Sequence, residues 1–145
     1  VCGAKLEPVL ENLKDIKQRG IWLEITTLLI TGKNDSPDEL QKIAEFIKNN
    51  LGAETPWHIS RFFPAYKIID LPPTEIDIIL KAVKIGKKAG LKYVYSGNIP
   101  GQGVEDTYCP KCNEKMINRV GYLVERLDDE GKCTNCDEDL NIILS

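Results

Sequence analysis

Four cysteines near the end of the chain are the residues best placed to do chemistry. They stand as CPKC at 109–112 and CTNC at 133–136, twenty residues apart. A Cys-x-x-Cys turn lets two thiolates converge on one metal, and two such turns supply the four soft ligands of a tetrahedral ion. Cys109, Cys112, Cys133 and Cys136 therefore read as the ligands of a zinc ribbon. The segment MINRVGYLVERL between them mixes apolar and polar residues around Gly121, the pattern of a β-hairpin joining two knuckles. Two disulfides, or a redox or iron role, compete with zinc. Disulfides need an oxidising compartment, and a redox pair needs a place at the start of a thioredoxin-like helix. Four thiolates leave no open coordination position, so zinc here is expected to hold structure and do no chemistry. Cys2 stands apart from the set and reads as an ordinary thiol.

A second group is polar residues within apolar runs. Glu24, Thr26 and Thr27 interrupt IWLEITTLLI (21–30), and His58, Ser60 and Arg61 interrupt WHISRFF (57–63). Polar groups buried on neighbouring strands are costly unless paired. They imply either a lined cavity or an interior contact in which Glu24 pairs with His58 or Arg61. Asn34 and Asp35 after the first run, Tyr66 and Lys67 after the second, and Asn98 in GNIPGQG fall in loops where an α/β fold builds its site. Ordinary turn chemistry also explains such residues. Glu24, Thr26, His58, Ser60, Arg61 and Asn98 are the candidate ligand-binding residues. GQG lacks the Lys-Ser/Thr ending of a phosphate loop and opens no helix.

These residues need elements to position them. Residues 8–20 place Val9, Leu10, Leu13 and Ile16 at helical spacing between Pro8 and Gly20. Run 21–30 has the density of a strand buried on both faces of a parallel sheet. Ser36, Pro37 and Glu39 form a capping box for a helix with the stripe Leu40, Ile43, Ala44, Ile47 and Leu51. Thr74 is expected to cap a third helix bearing Ile76, Ile79, Leu80 and Val83 and closed by Gly90. KYVYS (92–96) is the third strand. Strand starts near 22, 57 and 92 recur at the period of a βα unit, so an α/β fold of three parallel βα units is expected over 1–100, followed by the ribbon module over 101–145. A helix opens the chain with no strand before it, and three parallel strands leave an exposed edge. The expectation is the later part of a larger barrel-like domain, its start at Val1 a cut. The missing part of that barrel, or self-association through the open edge, would cover it.

Composition narrows the partners. The chain has 145 residues, 42% hydrophobic and 28% charged, with net charge −3. Residues 1–103 hold fourteen Lys or Arg against twelve Asp or Glu, whereas 104–145 hold five against ten. The cysteine-bearing part is thus acidic, which argues against a phosphate backbone as partner. No run approaches the roughly 18 apolar residues of a membrane span, and no basic start leads into an apolar run. The chain is expected in the cytoplasm, binding neither nucleic acid nor membrane.

EITTLLITGKNDS, PWHISRFFPAYKIIDLPPT and YVYSGNIPG followed by DTYCPKC resemble, in order and across essentially the whole chain, the C-terminal part of radical S-adenosylmethionine enzymes of the AmmeMemoRadiSam system. Those enzymes are related to pyruvate formate-lyase activating enzymes. The resemblance implies the C-terminal half of a partial TIM-like (βα)6 barrel. A four-iron four-sulfur (4Fe-4S) cluster in such a barrel cleaves S-adenosylmethionine reductively to a 5'-deoxyadenosyl radical. The family's cluster is held by C-x3-C-x2-C, a spacing absent from this chain, so the chain alone is expected to be inactive. By the same resemblance, strands 22–30 and 57–63 contact the methionine and adenosine parts of the cofactor. Thr26 stands where such enzymes often carry a basic residue, and the neighbourhood of Phe63 is where they often carry His. A protein is among the substrates this reading allows. The alternative is a zinc ribbon that docks a partner, with the βα segment as scaffold.

Overall fold

A computed structural model describes residues 3–99 and 104–143. Cys2 and the GQG run fall outside them, as does the 100/101 division between the two expected modules. The elements are α1 (Leu6–Gln18), β1 (Ile25–Leu29), α2 (Pro37–Phe46), a π-helical turn (Ile47–Leu51), β2 (Trp57–Arg61), α3 (Ile76–Ala89), β3 (Val94–Gly97), β4 (Thr107–Tyr108), β5 (Lys115–Val120) and β6 (Leu123–Arg126). The fold is mixed α/β. Strands β1, β2 and β3 form a parallel sheet in that order, with Thr26, His58 and Tyr95 in one row and Leu28, Ser60 and Gly97 in another. Strands β4, β5 and β6 form a separate antiparallel sheet.

The local signals act as their chemistry requires. Ser36 Oγ accepts from the Glu39 backbone N–H at 3.3 Å and donates to Glu39 Oε2 at 2.8 Å, with Pro37 in the first turn. Gly90 closes α3 at φ 100°, a conformation costly for a residue with a Cβ. The cap of α3 differs from expectation. Glu75 occupies the N-cap, and the Thr74 hydroxyl donates instead to the Leu29 carbonyl at 2.6 Å. The Thr74 N–H bonds the Phe62 carbonyl at 3.1 Å, and its own carbonyl accepts from Arg61 Nε at 2.6 Å. The fully buried Thr74 thus ties the ends of β1 and β2 to the start of α3.

The helices cover one face of the parallel sheet only. Leu29, Trp57, Ile59 and Val94 are buried with Leu40, Ala44, Ile47 and Leu51 from α2 and its π turn, and with Ile79, Ala82 and Val83 from α3. Trp57 is fully buried and donates its indole N–H to Thr27 Oγ1 at 2.9 Å. On the opposite face of β1, Thr26 and Leu28 are exposed, which corrects the expectation of a strand buried on both sides. Glu24 precedes β1 rather than lying within it. Among the described residues the outer edge of β1 is unpaired, and α1 beside it buries no residue fully. An apolar cleft of about 480 Å3 lies between them, walled by Leu10, Leu13, Ile25, Ile43 and Phe46.

Helix α3 approaches the sheet at Gly86. A Cβ there would come within 2.9 Å of the Trp57 ring and 3.0 Å of Val94 Cγ2. Gly86→Ala would gain about 1 kcal/mol of helix propensity. Overpacking against a fully buried ring costs about 1–3 kcal/mol. The variant is therefore expected to show a lower urea midpoint with an unchanged slope, and a raised midpoint would refute the close contact.

Candidate functional site: a four-thiolate centre and the polar face of the sheet

The two cysteine pairs fold into matching knuckles. The Cys109 N–H bonds the Glu114 carbonyl and the Asn113 N–H returns to the Cys109 carbonyl, at 2.8 and 2.9 Å. In the second knuckle the Cys133 N–H bonds the Glu138 carbonyl and the Asp137 N–H returns to the Cys133 carbonyl, both at 2.9 Å. The residue after each pair, Asn113 at φ 59° and Asp137 at φ 58°, takes the left-handed conformation that Asn and Asp tolerate best. A two-residue turn with Gly121 at φ 59° joins β5 to β6 between the knuckles, as a hairpin requires.

The four Sγ atoms lie within 4.8 Å of one another, with Cys109 to Cys136 at 3.6 Å and Cys112 to Cys133 at 3.5 Å. A disulfide requires about 2.05 Å between sulfurs. A tetrahedron with metal–sulfur bonds of about 2.3 Å has edges of about 3.8 Å. The donor set thus fits one tetrahedral ion such as zinc. A four-iron cube would hold its cysteine sulfurs farther apart than this. The Asn135 side chain's hydrogen bond, with a backbone one at Glu114, holds the Cys112 thiol below the usual thiol range. Among the described residues Met116 and Leu140 are the other buried members of the cluster around the cysteines, with Ile142 packed against it, so the module has little apolar core of its own.

A polar seam fastens this module to the uncovered sheet face. Trp22 donates its indole N–H to Glu24 Oε1 at 3.0 Å, and Glu24 Oε2 holds His58 Nε2 at 2.8 Å. The His58 ring stacks on Tyr95 at 5.2 Å between centroids, and the Arg119 guanidinium lies 5.4 Å from the Tyr95 centroid. Thr107 Oγ1 joins the Tyr95 hydroxyl at 2.9 Å and accepts from Arg119 Nη1 at 2.8 Å. Tyr93 donates to the Leu140 carbonyl at 2.6 Å. Burial pushes the Tyr93 and Tyr95 phenols up, so both stay neutral hydrogen-bonding groups. Asp106 is buried and accepts from the Arg119 N–H and from Lys115, both at 2.7 Å. Burial opposes its charge, but Lys115 and the Arg119 N–H outweigh it and hold the carboxyl below the usual range. The seam borders a cavity of about 610 Å3, lined in part by Asn141, whose Oδ1 is buried without a hydrogen-bond partner among the described residues.

The six candidate residues are therefore divided. Glu24 and His58 do pair, but in a half-exposed contact rather than the interior one expected, and they lie toward the strand beginnings. Thr26 shares the row of His58 and Tyr95 but is exposed. Ser60 lies one row further along, beside Gly97, where a Cβ would meet Ser60 Oγ at 3.3 Å. Asn98 follows β3 with φ 65°. Arg61, in register with the buried Leu29, belongs to the helix-covered face and is held by the Thr74 carbonyl. Asn34 and Asp35 do turn chemistry: Asn34 bridges the Ile30 N–H and the Leu28 carbonyl, and Asp35 accepts from the Gly32 N–H. Tyr66 is exposed at φ 53° with Lys67 near its ring. Tyr93, Tyr95, Asp106, Thr107 and Arg119 were not legible as a group. The available signal was the alternation in KYVYS, which puts both tyrosines on the face opposite Val94.

No family model matches the chain. It is 46% identical over 147 residues to an uncharacterized protein of Methanocaldococcus jannaschii, an alignment covering 99% of this chain and 44% of that protein. The chain thus spans less than half the length of the relative it matches. No helix among the described residues is long and apolar enough to cross a membrane.

Two outcomes are expected. Cobalt added to the reduced chain should give the intense visible bands of a tetrahedral thiolate site at one ion per chain. These should fade on acidification, because protons compete for the thiolates, and should be lost in Cys133→Ser. Asp106→Ala should lower stability by about 1.5–3 kcal/mol, the range for hydrogen bonds to a charged group, read by chemical denaturation of the metal-bound protein.

Proposed function

We propose that this chain is the later part of a radical S-adenosylmethionine enzyme of the AmmeMemoRadiSam type, related to glycyl-radical activating enzymes. Its parallel sheet would be the C-terminal half of a partial (βα)6 barrel, and its ribbon would carry structural zinc. The observation that carries this reading is the sheet face opposite the helices. In a free-standing two-layer domain that face would be apolar and covered, or polar throughout and solvated. Here it mixes exposed Thr26 and Leu28, half-buried His58, Ser60 and Tyr95, and Gly97. Such a face suits a barrel interior. The free edge of β1, the unburied α1 and a relative more than twice as long support the same reading.

The residues present do not provide an iron–sulfur site. The four thiols of the ribbon suit one ion, and no C-x3-C-x2-C occurs in the sequence. Cluster chemistry would belong to chain outside these residues. What this segment would contribute is cofactor contact at the ends of its strands. Ser60 and Gly97 pack closely side by side there, so that a Cβ on Gly97 would meet Ser60 Oγ at 3.3 Å, and Asn98 stands at the rim. The substrate, a protein included, would be met at that rim.

Anaerobic reconstitution of the longer polypeptide that carries this segment should yield 5'-deoxyadenosine from S-adenosylmethionine under reduction. Ser60→Leu should reduce cofactor binding at least tenfold while zinc content stays unchanged. A reconstituted cluster with no cofactor cleavage, or a reading frame without upstream C-x3-C-x2-C, would sink the proposal.

A further inference from the structure

The β5–β6 hairpin carries a contiguous run of uncovered apolar side chains. Val120, Leu123 and Val124 are 65%, 76% and 61% exposed, and Tyr122 in the turn is fully exposed. Scattered apolar residues on a surface are ordinary, but a cluster on one turn marks a docking surface. Along β5 the neighbours change: Met116 and Ile117 are buried, Arg119 lies in the seam, and from Val120 onward the strand is exposed. Ile117, Arg119 and Gly121 also share the 610 Å3 cavity with Trp22 and Glu24, which lead into β1. The bare hairpin is thus continuous with the ribbon–sheet interface, and the cavity it borders reaches the strand whose outer edge is free.

We propose that the Val120–Leu127 hairpin lies across the beginnings of the strands that the longer polypeptide places beside β1, making the ribbon a floor for the whole barrel. This rests on the barrel reading above. The occupant is the βα segment that extends the sheet past β1. Its strand beginnings would stand level with Trp22 and Glu24 and complete the cavity wall. The Methanocaldococcus relative, of which this chain covers 44%, has ample chain for such a segment. A second copy is a poor fit. A two-fold antiparallel pairing of β6 centred on Val124 or Glu125 sets Glu125 against Leu123 or against itself, and neither pair is favourable.

The test compares maleimide labelling of Leu123→Cys and Val9→Cys, each in a Cys2→Ser background with zinc bound, in this chain and in the longer polypeptide. Labelling is read peptide by peptide by mass spectrometry. Both positions are exposed in this chain and should label fast. In the longer polypeptide both should label at least tenfold more slowly. Slowing at Val9→Cys alone would overturn the floor and leave the barrel standing, with the hairpin free for a separate protein. No slowing at either position would bring down both. Slowing at Leu123→Cys alone would show an occupant other than the segment beside β1, and slowing in the isolated chain as its concentration rises would identify a second copy. Either result would overturn the proposal.

Discussion

A parallel sheet has two faces, and in this chain they are met by different means. Helices α2 and α3 bury one face with aliphatic side chains around Trp57. The other face meets a cysteine module that has Met116 and Leu140 for a core and little else apolar. Hydrophobic burial contributes little to such a module, and its four thiols are arranged to share one ion that would join the two knuckles. What the module contributes to the sheet, from the Tyr93 tie to the Arg119 stack, would then rest on that ion keeping the two knuckles in place.

The seam shows how polar groups can be tolerated at such a junction. Glu24, His58, Tyr95, Thr107 and Arg119 each satisfy a neighbour, and Asp106 fixes the backbone of Arg119 through its N–H. A chain of this kind sets an angle between two sheets more sharply than apolar contact does, because each hydrogen bond has a direction. The consequence is division of the uncovered face. Its beginning is occupied by the seam, and its far end, where Ser60 and Gly97 lie, is left open.

Signals that act over a few residues were legible in the sequence. The Ser36 cap, the Gly90 stop, the succession of three strands, which begin at Ile25, Trp57 and Val94 rather than at an even 35-residue interval, and the two cysteine knuckles all depend on neighbours within one turn or one repeat. Thr74 misled because a threonine before a helix resembles a cap. Its hydroxyl goes instead to Leu29, 45 residues away, a choice only tertiary structure makes. The double burial expected of β1 failed for a related reason. Residue type records how apolar a strand is, but which face is covered depends on what lies beside it. Of the polar residues, Glu24 could be offered His58 or Arg61 as a partner, and the structure gives it His58. Arg61 could not be separated from them until the register placed it with Leu29, and Arg119 arrives from a segment with no local sign of its destination.

The Thr74 tie fixes more than a helix start. Phe62 and Thr74 are joined through their backbones at 3.1 Å, so the eleven residues between them form an excursion clamped at its base. Lengthening a loop whose ends are already held costs little, since closure entropy grows only with the logarithm of length. Descendants of this fold could therefore rewrite that excursion, at the end of the sheet opposite the cysteine module, without disturbing the strands beneath it. Diversification has a place to occur there that leaves the core strands alone.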